Sequence, residues 1–392
     1  MAAPSDSFGT GDPSLVPQLS IGNQTYRLTI TPHRGGSTAR LHLTNRTRPV
    51  PMQIGRVTVG VQSGGPTVRP GSLREVRFGG SAVVTIPAFS DVMSDPIDLS
   101  FNGFQPLSVS VYVPGISVLP TEHFNGNATS YYSLPGAGDR TGELAGGSFP
   151  LATTAMPLVS GLDVEAPGTV GAVVAFGDSI TDGYVASNVL GTPEDRTAVD
   201  RNVRYPDFLQ RRLDAAGKPF TVLNAGISGN RVSREGFVPQ FGPLGAARIR
   251  ADAIDKAGVT DIVVLEGIND LGIPIGAPFE DVIAGYTAVI ARIHAAGVRV
   301  HLGTVLPASN ALPNGILTLP LAEPVRQRVN AWIRQQRLSD TVVDFDAALR
   351  NPADPTVLDP RYAGKDNLHL SPAGYAALAE AIDLDIFRPR CP

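Results

Sequence analysis

Between Gln24 and Tyr132 the chain alternates apolar and polar positions in short runs with period two. In "STARLHLTN", Ala39, Leu41 and Leu43 alternate with Arg40, His42 and Thr44. The same pattern recurs in "RVTVGV" at Val57, Val59 and Val61, and in "LSVSVYV" at Val109, Val111 and Val113. Successive side chains of a strand point to opposite faces, so this pattern predicts antiparallel strands with one face buried and one wet. Breaks such as "SGGPTVRPGS" and "NGFQP" separate the runs, and no stretch between them has helical periodicity. Several short strands at this spacing predict an all-β sandwich, jelly-roll-like, over residues 21–135. The Gly-rich "LPGAGDRTGELAGGSFP" fits neither phosphate-loop pattern and reads as a linker over 136–167, with 1–20 an N-terminal extension.

After Gly168 the period changes. The runs "VGAVVAFG", "FTVLNAG", "DIVVLEG", "VRVHLGTVL" and "TVVDF" are apolar throughout and read as fully buried strands. Amphipathic stretches lie between them: "YPDFLQRRLDAAG", "GAARIRADAIDKAG", "FEDVIAGYTAVIARIHAAG" and "AEPVRQRVNAWIRQQ". Strands alternating with helices predict a parallel sheet covered on both faces, a three-layer α/β/α domain over 168–392. Trp332, at helical spacing with Val325 and Val329, reads as core. In such a sheet ligands sit at the carboxyl ends of the strands.

Composition narrows the function classes. A net charge of −4 and no Lys/Arg-dense run give no footprint for nucleic acid. The single cysteine, Cys391, excludes an internal disulfide and any cysteine-based metal cluster. No apolar run approaches the ~20 residues needed to span a bilayer. The start "MAAPSDSFGTG" lacks a basic and an apolar region, so it reads as a mature secreted chain without its signal peptide, a cytoplasmic chain being the alternative. His33, His42, His123, His294 and His301 are scattered without metal-ligand spacing, His123 reading as a polar loop residue, and neither metal nor cofactor is expected. Oligomeric state is not legible.

The chemistry-bearing residues fall at the predicted strand ends. "GDS" places Ser179 after the first strand, "NAGISGNR" places Gly229 after the second, and "GIND" places Asn269 after the third. Near the C-terminus Asp366 precedes His369 by three residues, ahead of a helix that Ser371 is placed to cap and Pro372 to begin. Singly, each has a bland reading: Ser179 a helix cap, Gly229 a tight turn, Asn269 and Asp270 turn formers. Together they supply an acyl-transfer site. A serine needs a base to take its proton, the imidazole needs a carboxylate to fix its tautomer, and the tetrahedral oxyanion needs preorganised donors. The backbone N–H groups of Ser179 and Gly229 and the Asn269 amide would be those donors.

These four segments resemble, in order and spacing, the sequence blocks of the SGNH (GDSL) hydrolase superfamily, over Gly168 to Phe387. The resemblance implies a flavodoxin-like fold and a serine esterase with Ser179 as nucleophile, His369 as general base and Asp366 orienting it. It also implies an oxyanion hole of Ser179, Gly229 and Asn269. The absence of a G-x-S-x-G elbow separates the chain from α/β-hydrolases. The implied substrate is a short-chain, foremost acetyl, ester of a small molecule or carbohydrate. Asp178, Tyr184 and Arg231 are candidate substrate contacts, although Asp178 and Asp182 read as fixing the nucleophile's loop by local hydrogen bonds and Arg231 and Arg234 as solvated. An acyltransferase using the same acyl-enzyme, and a non-catalytic carbohydrate-binding protein, are the alternatives.

Overall fold

The alternating runs pair as antiparallel strands in the computed structural model, which describes residues 20–389 except 119, 191–194, 236–240, 273–274 and 320. The expected extension up to residue 19, and Cys391, lie outside the described residues. The chain divides into two compact units, residues 1–168 and 169–392. In the first unit, Leu107–Val118 pairs with Ser20–Ile30 on one side and Arg56–Gly64 on the other. Ser130–Tyr132 and Leu151–Thr153 extend that sheet beyond Ser20–Ile30. A second antiparallel sheet is built on Gly36–Thr44, flanked by Val159–Glu165, Asp91–Met93 and Ile97–Phe101. Ala39, Leu41, Leu43, Val57, Val59, Val61, Val109, Val111 and Val113 are all buried in one apolar core that the two sheets share. The period-two pattern thus identifies the positions in this core, but the face expected to be wet is not wet throughout: Thr44, Thr58, Ser108 and Ser110 are buried as well.

Two expectations for this unit need correction. Residues 136–167 are not a free linker: they contain Leu151–Thr153, Met156–Pro157 and Val159–Glu165, all paired. The Gly-rich stretch before them is held by Arg27, a buried arginine on Ser20–Ile30. Arg27 donates to the carbonyls of Glu143 at 2.6 Å and Pro66 at 2.7 Å and to Ser110 Oγ at 2.9 Å. Its guanidinium lies 4.0 Å from the centre of the Phe149 ring. Burial brings its pKa down to about 10, against the pull of Glu143. A glycine-rich composition carries no trace of which distant cation its carbonyls will meet. His123, in turn, is not in a loop but in the short strand Glu122–His123, buried and paired with Met156–Pro157.

The second unit contains a parallel sheet of five strands: Gly171–Gly177, Phe220–Gly226, Val259–Leu265, Arg299–Gly303 and Thr341–Val343. In sequence order their spatial order is second, first, third, fourth, fifth. This is the flavodoxin-like arrangement, in which the first strand is the switch point where ligands bind. Gly177 pairs with Gly226 on one side and Leu265 on the other, so the first three strands end at one level. A side chain at Gly177 could not exist there, because its Cβ would lie 1.9 Å from the Leu265 carbonyl oxygen. Helices Tyr205–Ala215, Phe279–Ala295 and Ala322–Gln335 coincide with three amphipathic runs. The fourth, "GAARIRADAIDKAG", is an α-helix over Gly245–Ile249 that passes into a π-helical turn over Arg250–Ile254. Trp332 is half-buried rather than core; its ring stacks on the buried Tyr286 with centroids 6.2 Å apart.

Candidate active site

The site assembles at the ends of the first three strands. The chain leaves the first strand through Asp178, whose carboxylate accepts the Ile180 N–H at 2.9 Å and caps the short helix Ser179–Asp182. Ser179 is therefore the first residue of that turn, 5% exposed. After the second strand, Gly229 has φ +80°, and a Cβ there would lie 2.1 Å from the Phe241 ring. Both the left-handed backbone and the close ring require glycine. Among the described residues, the backbone N–H groups of Ser179 and Gly229 donate to no protein acceptor. After the third strand, Asn269 lies on the short helix Ile268–Leu271, and its amide donates to the Asn230 carbonyl at 3.1 Å. A side-chain amide has two N–H donors, so one hydrogen fixes the Asn269 plane and the other has no protein acceptor among the described residues.

Asp366 and His369 arrive from the far end of the chain on a tight hairpin. Ala363 bridges Leu370, Gly364 N–H donates to the His369 carbonyl at 2.7 Å, and Asn367 turns the chain with φ +58°. Ser371 then caps the helix Pro372–Glu380, accepting from Gly374 N–H at 3.2 Å. His369 Nε2 lies 2.8 Å from Ser179 Oγ and His369 Nδ1 lies 2.6 Å from Asp366 Oδ2. The other Asp366 oxygen accepts the backbone N–H groups of Leu368 at 3.2 Å and His369 at 3.0 Å. Burial pushes the Asp366 carboxyl up, but the hydrogen bond and charge of His369 and the two backbone donors outweigh it and hold it below the ordinary carboxylate value. Nδ1 thus faces an anion, which keeps its proton there and leaves Nε2 to accept from the serine hydroxyl.

The three candidate substrate contacts differ. The Tyr184 ring meets the His369 ring with centroids 4.7 Å apart and packs against the histidine. Asp178 is buried and engaged in its cap; burial pushes its carboxyl up to about 7, against the pull of the Ile180 N–H and His369. Arg231, read from sequence as solvated, is instead 4% exposed. Its guanidinium is pulled down by burial and by Arg234, against the opposing charge of Asp270. Neither Asp178 nor Arg231 presents much surface to a ligand.

The residues that hold these loops together are Asp270, read from sequence as a turn former, and Asn230, Arg248 and Glu266, to which the sequence assigned no role. Asp270 is fully buried and accepts the N–H groups of Val232 at 2.9 Å and Ser233 at 2.7 Å, as well as the Ser233 hydroxyl. It staples the loop after the second strand to the turn after the third. Asn230 ties the loop after the second strand to itself, its side chain donating to the carbonyls of Phe241 at 2.6 Å and Pro243 at 2.8 Å. Arg248 and Glu266 are both buried nearby, 3.7 Å apart. Burial pushes the Glu266 carboxyl up to about 8, against the pull of Arg248. The adjacency of Asp270 to Asn269 was the one signal available, since an Asn-Asp pair after a strand suits a turn as well as a staple. No group of three or more His, Cys, Asp or Glu side chains suited to a metal ion occurs among the described residues. No helix among them is long and apolar enough to cross a membrane.

A carbohydrate acetylesterase from Sinorhizobium meliloti aligns with the chain at 14% identity and a TM-score of 0.44, covering 54% of this chain and 95% of its own. The M. smegmatis aryl esterase aligns at 18% identity and a TM-score of 0.43, covering 54% and 95%. A family two carbohydrate esterase from Clostridium thermocellum, in complex with cellohexaose, aligns at 14% identity and a TM-score of 0.40, covering 96% of each chain. No curated protein sequence matches the chain. The model of the GDSL-like Lipase/Acylhydrolase family matches residues 175–377, which run from within the first strand to beyond the histidine-bearing hairpin, and the chain belongs to this family of carboxylic ester hydrolases.

Proposed function

We propose that the chain hydrolyses carboxylic esters through an acyl-enzyme on Ser179, with His369 as general base and Asp366 orienting it. The observation that carries this reading is the unbroken relay from Ser179 Oγ through both ring nitrogens of His369 to Asp366, at 2.8 and 2.6 Å. As Ser179 Oγ attacks the ester carbonyl, its proton passes to His369 Nε2 and the carbonyl oxygen becomes an oxyanion. The N–H groups of Ser179 and Gly229 and the second amide hydrogen of Asn269 receive that charge. Collapse expels the alcohol, which takes the proton back from Nε2. Water, deprotonated by the same nitrogen, then releases the acid and restores the serine. Fixed donors aimed at the developing charge contribute ~10²–10³ in rate apiece.

The acyl group we read as short, acetyl foremost, on a small-molecule or carbohydrate alcohol, from the resemblance drawn at the sequence level. We read the first unit as a β-sandwich accessory domain, supported by its two antiparallel sheets around a shared core. We read the second as three-layered, supported by two helix groups: Tyr205–Ala215 packs with Pro372–Glu380, while Phe279–Ala295 packs with Gly245–Ile249 and Ala322–Gln335.

Hydrolysis of p-nitrophenyl esters from acetate to decanoate by the native chain and by Ser179→Ala tests the reading. Activity on the shorter esters, abolished in the variant, is expected. Equal rates for the two proteins would make Ser179 a helix residue only, and a rate maximum at decanoate would refute the short acyl group.

A further inference from the structure

We propose that Arg248 is a positioning residue for ester hydrolysis: one guanidinium fixes the nucleophile's turn and the oxyanion-donor loops to one another. The inference rests on reading Ser179 as the nucleophile and Gly229 and Asn269 as oxyanion donors.

Arg248 belongs to the helix Gly245–Ile249 and is 3% exposed, with its guanidinium 3.9 Å from the centre of the Phe176 ring in the first strand. Three of its N–H groups make short bonds to three different segments. Nη2 donates to the Gly177 carbonyl at 2.7 Å, Nη1 to the Ala225 carbonyl at 2.8 Å and Nε to Asn230 Oδ1 at 2.7 Å. Gly177 ends the strand from which Asp178 and Ser179 depart, Ala225 lies in the last turn of pleat before the second loop, and Asn230 directly follows Gly229. The Asn230 carbonyl in turn accepts the Asn269 amide. Every proposed partner of the oxyanion is therefore within one or two links of this guanidinium.

Satisfying the Gly177 carbonyl does not account for an arginine here. The Gly177 carbonyl already accepts the Ile227 N–H at 3.0 Å, so it has a partner without Arg248. Burying an ion costs several kcal/mol unless its partners are excellent. The two carboxylates within reach are not excellent, with Asp252 at 3.5 Å and Glu266 at 3.7 Å. The feature that an apolar side chain of similar length could not reproduce is the planar fork that meets three acceptors from three segments at once. Lysine, with a single ammonium point on a flexible stem, could not meet all three either. A displacement of ~1 Å between nucleophile and oxyanion donors is enough to lower a rate ~10²-fold, which sets the scale of what the fork contributes.

The test uses the full chain and p-nitrophenyl acetate, comparing Arg248→Lys, Asn269→Ala, the two combined, and Ser179→Ala, with thermal midpoints for each. Arg248→Lys keeps a positive charge beside Asp252 and Glu266, so the fold is retained. Its kcat is expected to fall ~10²-fold with KM within about threefold. Because Arg248 acts through the donor that Asn269→Ala removes, the combined variant should lose clearly less than the product of the single losses. Arg248→Met combined with Glu266→Gln, which removes the buried cation together with the titratable carboxyl beside it, should reproduce the kcat loss and guards against misfolding of the lysine variant. Losses that multiply, or a lowered midpoint with kcat unchanged in both variants, would overturn the role of Arg248 alone. Activity surviving in Ser179→Ala would instead remove the reading on which it rests.

Discussion

Replacing Asp366 by asparagine or by alanine separates the two tasks of this residue. One carboxylate oxygen faces His369 Nδ1 at 2.6 Å, and the other accepts two backbone N–H groups of its own hairpin. In Asp366→Asn the amide oxygen can keep the backbone pair, which turns the NH₂ group toward Nδ1. Nδ1 must then be the acceptor, the ring proton moves to Nε2, and Nε2 can no longer take the proton of Ser179. A wrong tautomer of this kind costs ~10⁴ in kcat with the fold intact. In Asp366→Ala the catalytic loss is of the same order, but the Leu368 and His369 N–H groups are also left without an acceptor. At ~1–3 kcal/mol for each buried unsatisfied donor, the alanine variant should lose roughly 2–6 kcal/mol of stability that the asparagine variant keeps. For a unit of this size that is a difference of about 4–24 °C in thermal midpoint. The native carboxyl has a folded pKa below its ordinary value. Its ionic contribution is therefore present at neutral pH and lost as pH falls below about 4 and through the folded value, so native and asparagine midpoints should converge in acid. Steady-state kinetics and calorimetry on the three proteins decide the matter. Equal midpoints for the asparagine and alanine variants would refute the hairpin argument, and an Asp366→Asn enzyme within tenfold of native would refute the tautomer argument.

Other perturbations act on separate parts of the chain. Glu266→Gln should gain stability relative to native as pH rises from 4.5 to about 8. The native carboxyl must stay protonated to remain buried, so its contribution is complete below the unfolded pKa and lost as pH rises through the folded one, a trend that urea titrations at several pH values would reveal or exclude. Gly229→Ala puts a Cβ 2.1 Å from the Phe241 ring at φ +80°, and should cost ~1–3 kcal/mol of stability together with at least tenfold in kcat; native-like kinetics would contradict the oxyanion assignment. Arg27→Met should release the Gly-rich stretch after residue 136, lowering the midpoint of the first unit and opening cleavage sites there in limited proteolysis; protease resistance equal to native would show that the stretch holds by other means.

The strands and most helices were legible because burial imposes periodicity: Val57, Val59 and Val61, or the apolar run before Gly177, announce which face they bury. The residues proposed to be catalytic were legible for a different reason. A parallel sheet delivers its chemistry at strand ends, so Ser179, Gly229 and Asn269 could be read as neighbours once their strands were found. Residues that act by reaching across the sheet leave no such mark. Arg231 and Arg248 both look like surface arginines in the string, and nothing local distinguishes the one that binds three backbone and side-chain acceptors. Arg27 and the Gly-rich stretch make the same point in the first unit, since the partners of a buried cation are set by tertiary closure and not by neighbours in sequence.

Buried cations of this kind occupy comparable places in the two units. Arg27 gathers the carbonyls of Pro66 and Glu143, and Arg248 those of Gly177 and Ala225. In the first unit the segments joined are irregular and glycine-bearing; in the second they are the glycine-bearing ends of two strands and the loop that follows. Apolar burial cannot fix such segments, because glycine has no surface to bury; a five-donor guanidinium can, because every segment has carbonyls whatever its side chains. The cost is a buried charge. At Arg248 that cost falls on the segments that carry the proposed nucleophile and its proposed oxyanion donors, which is why its replacement should appear first in kcat and only second in the midpoint.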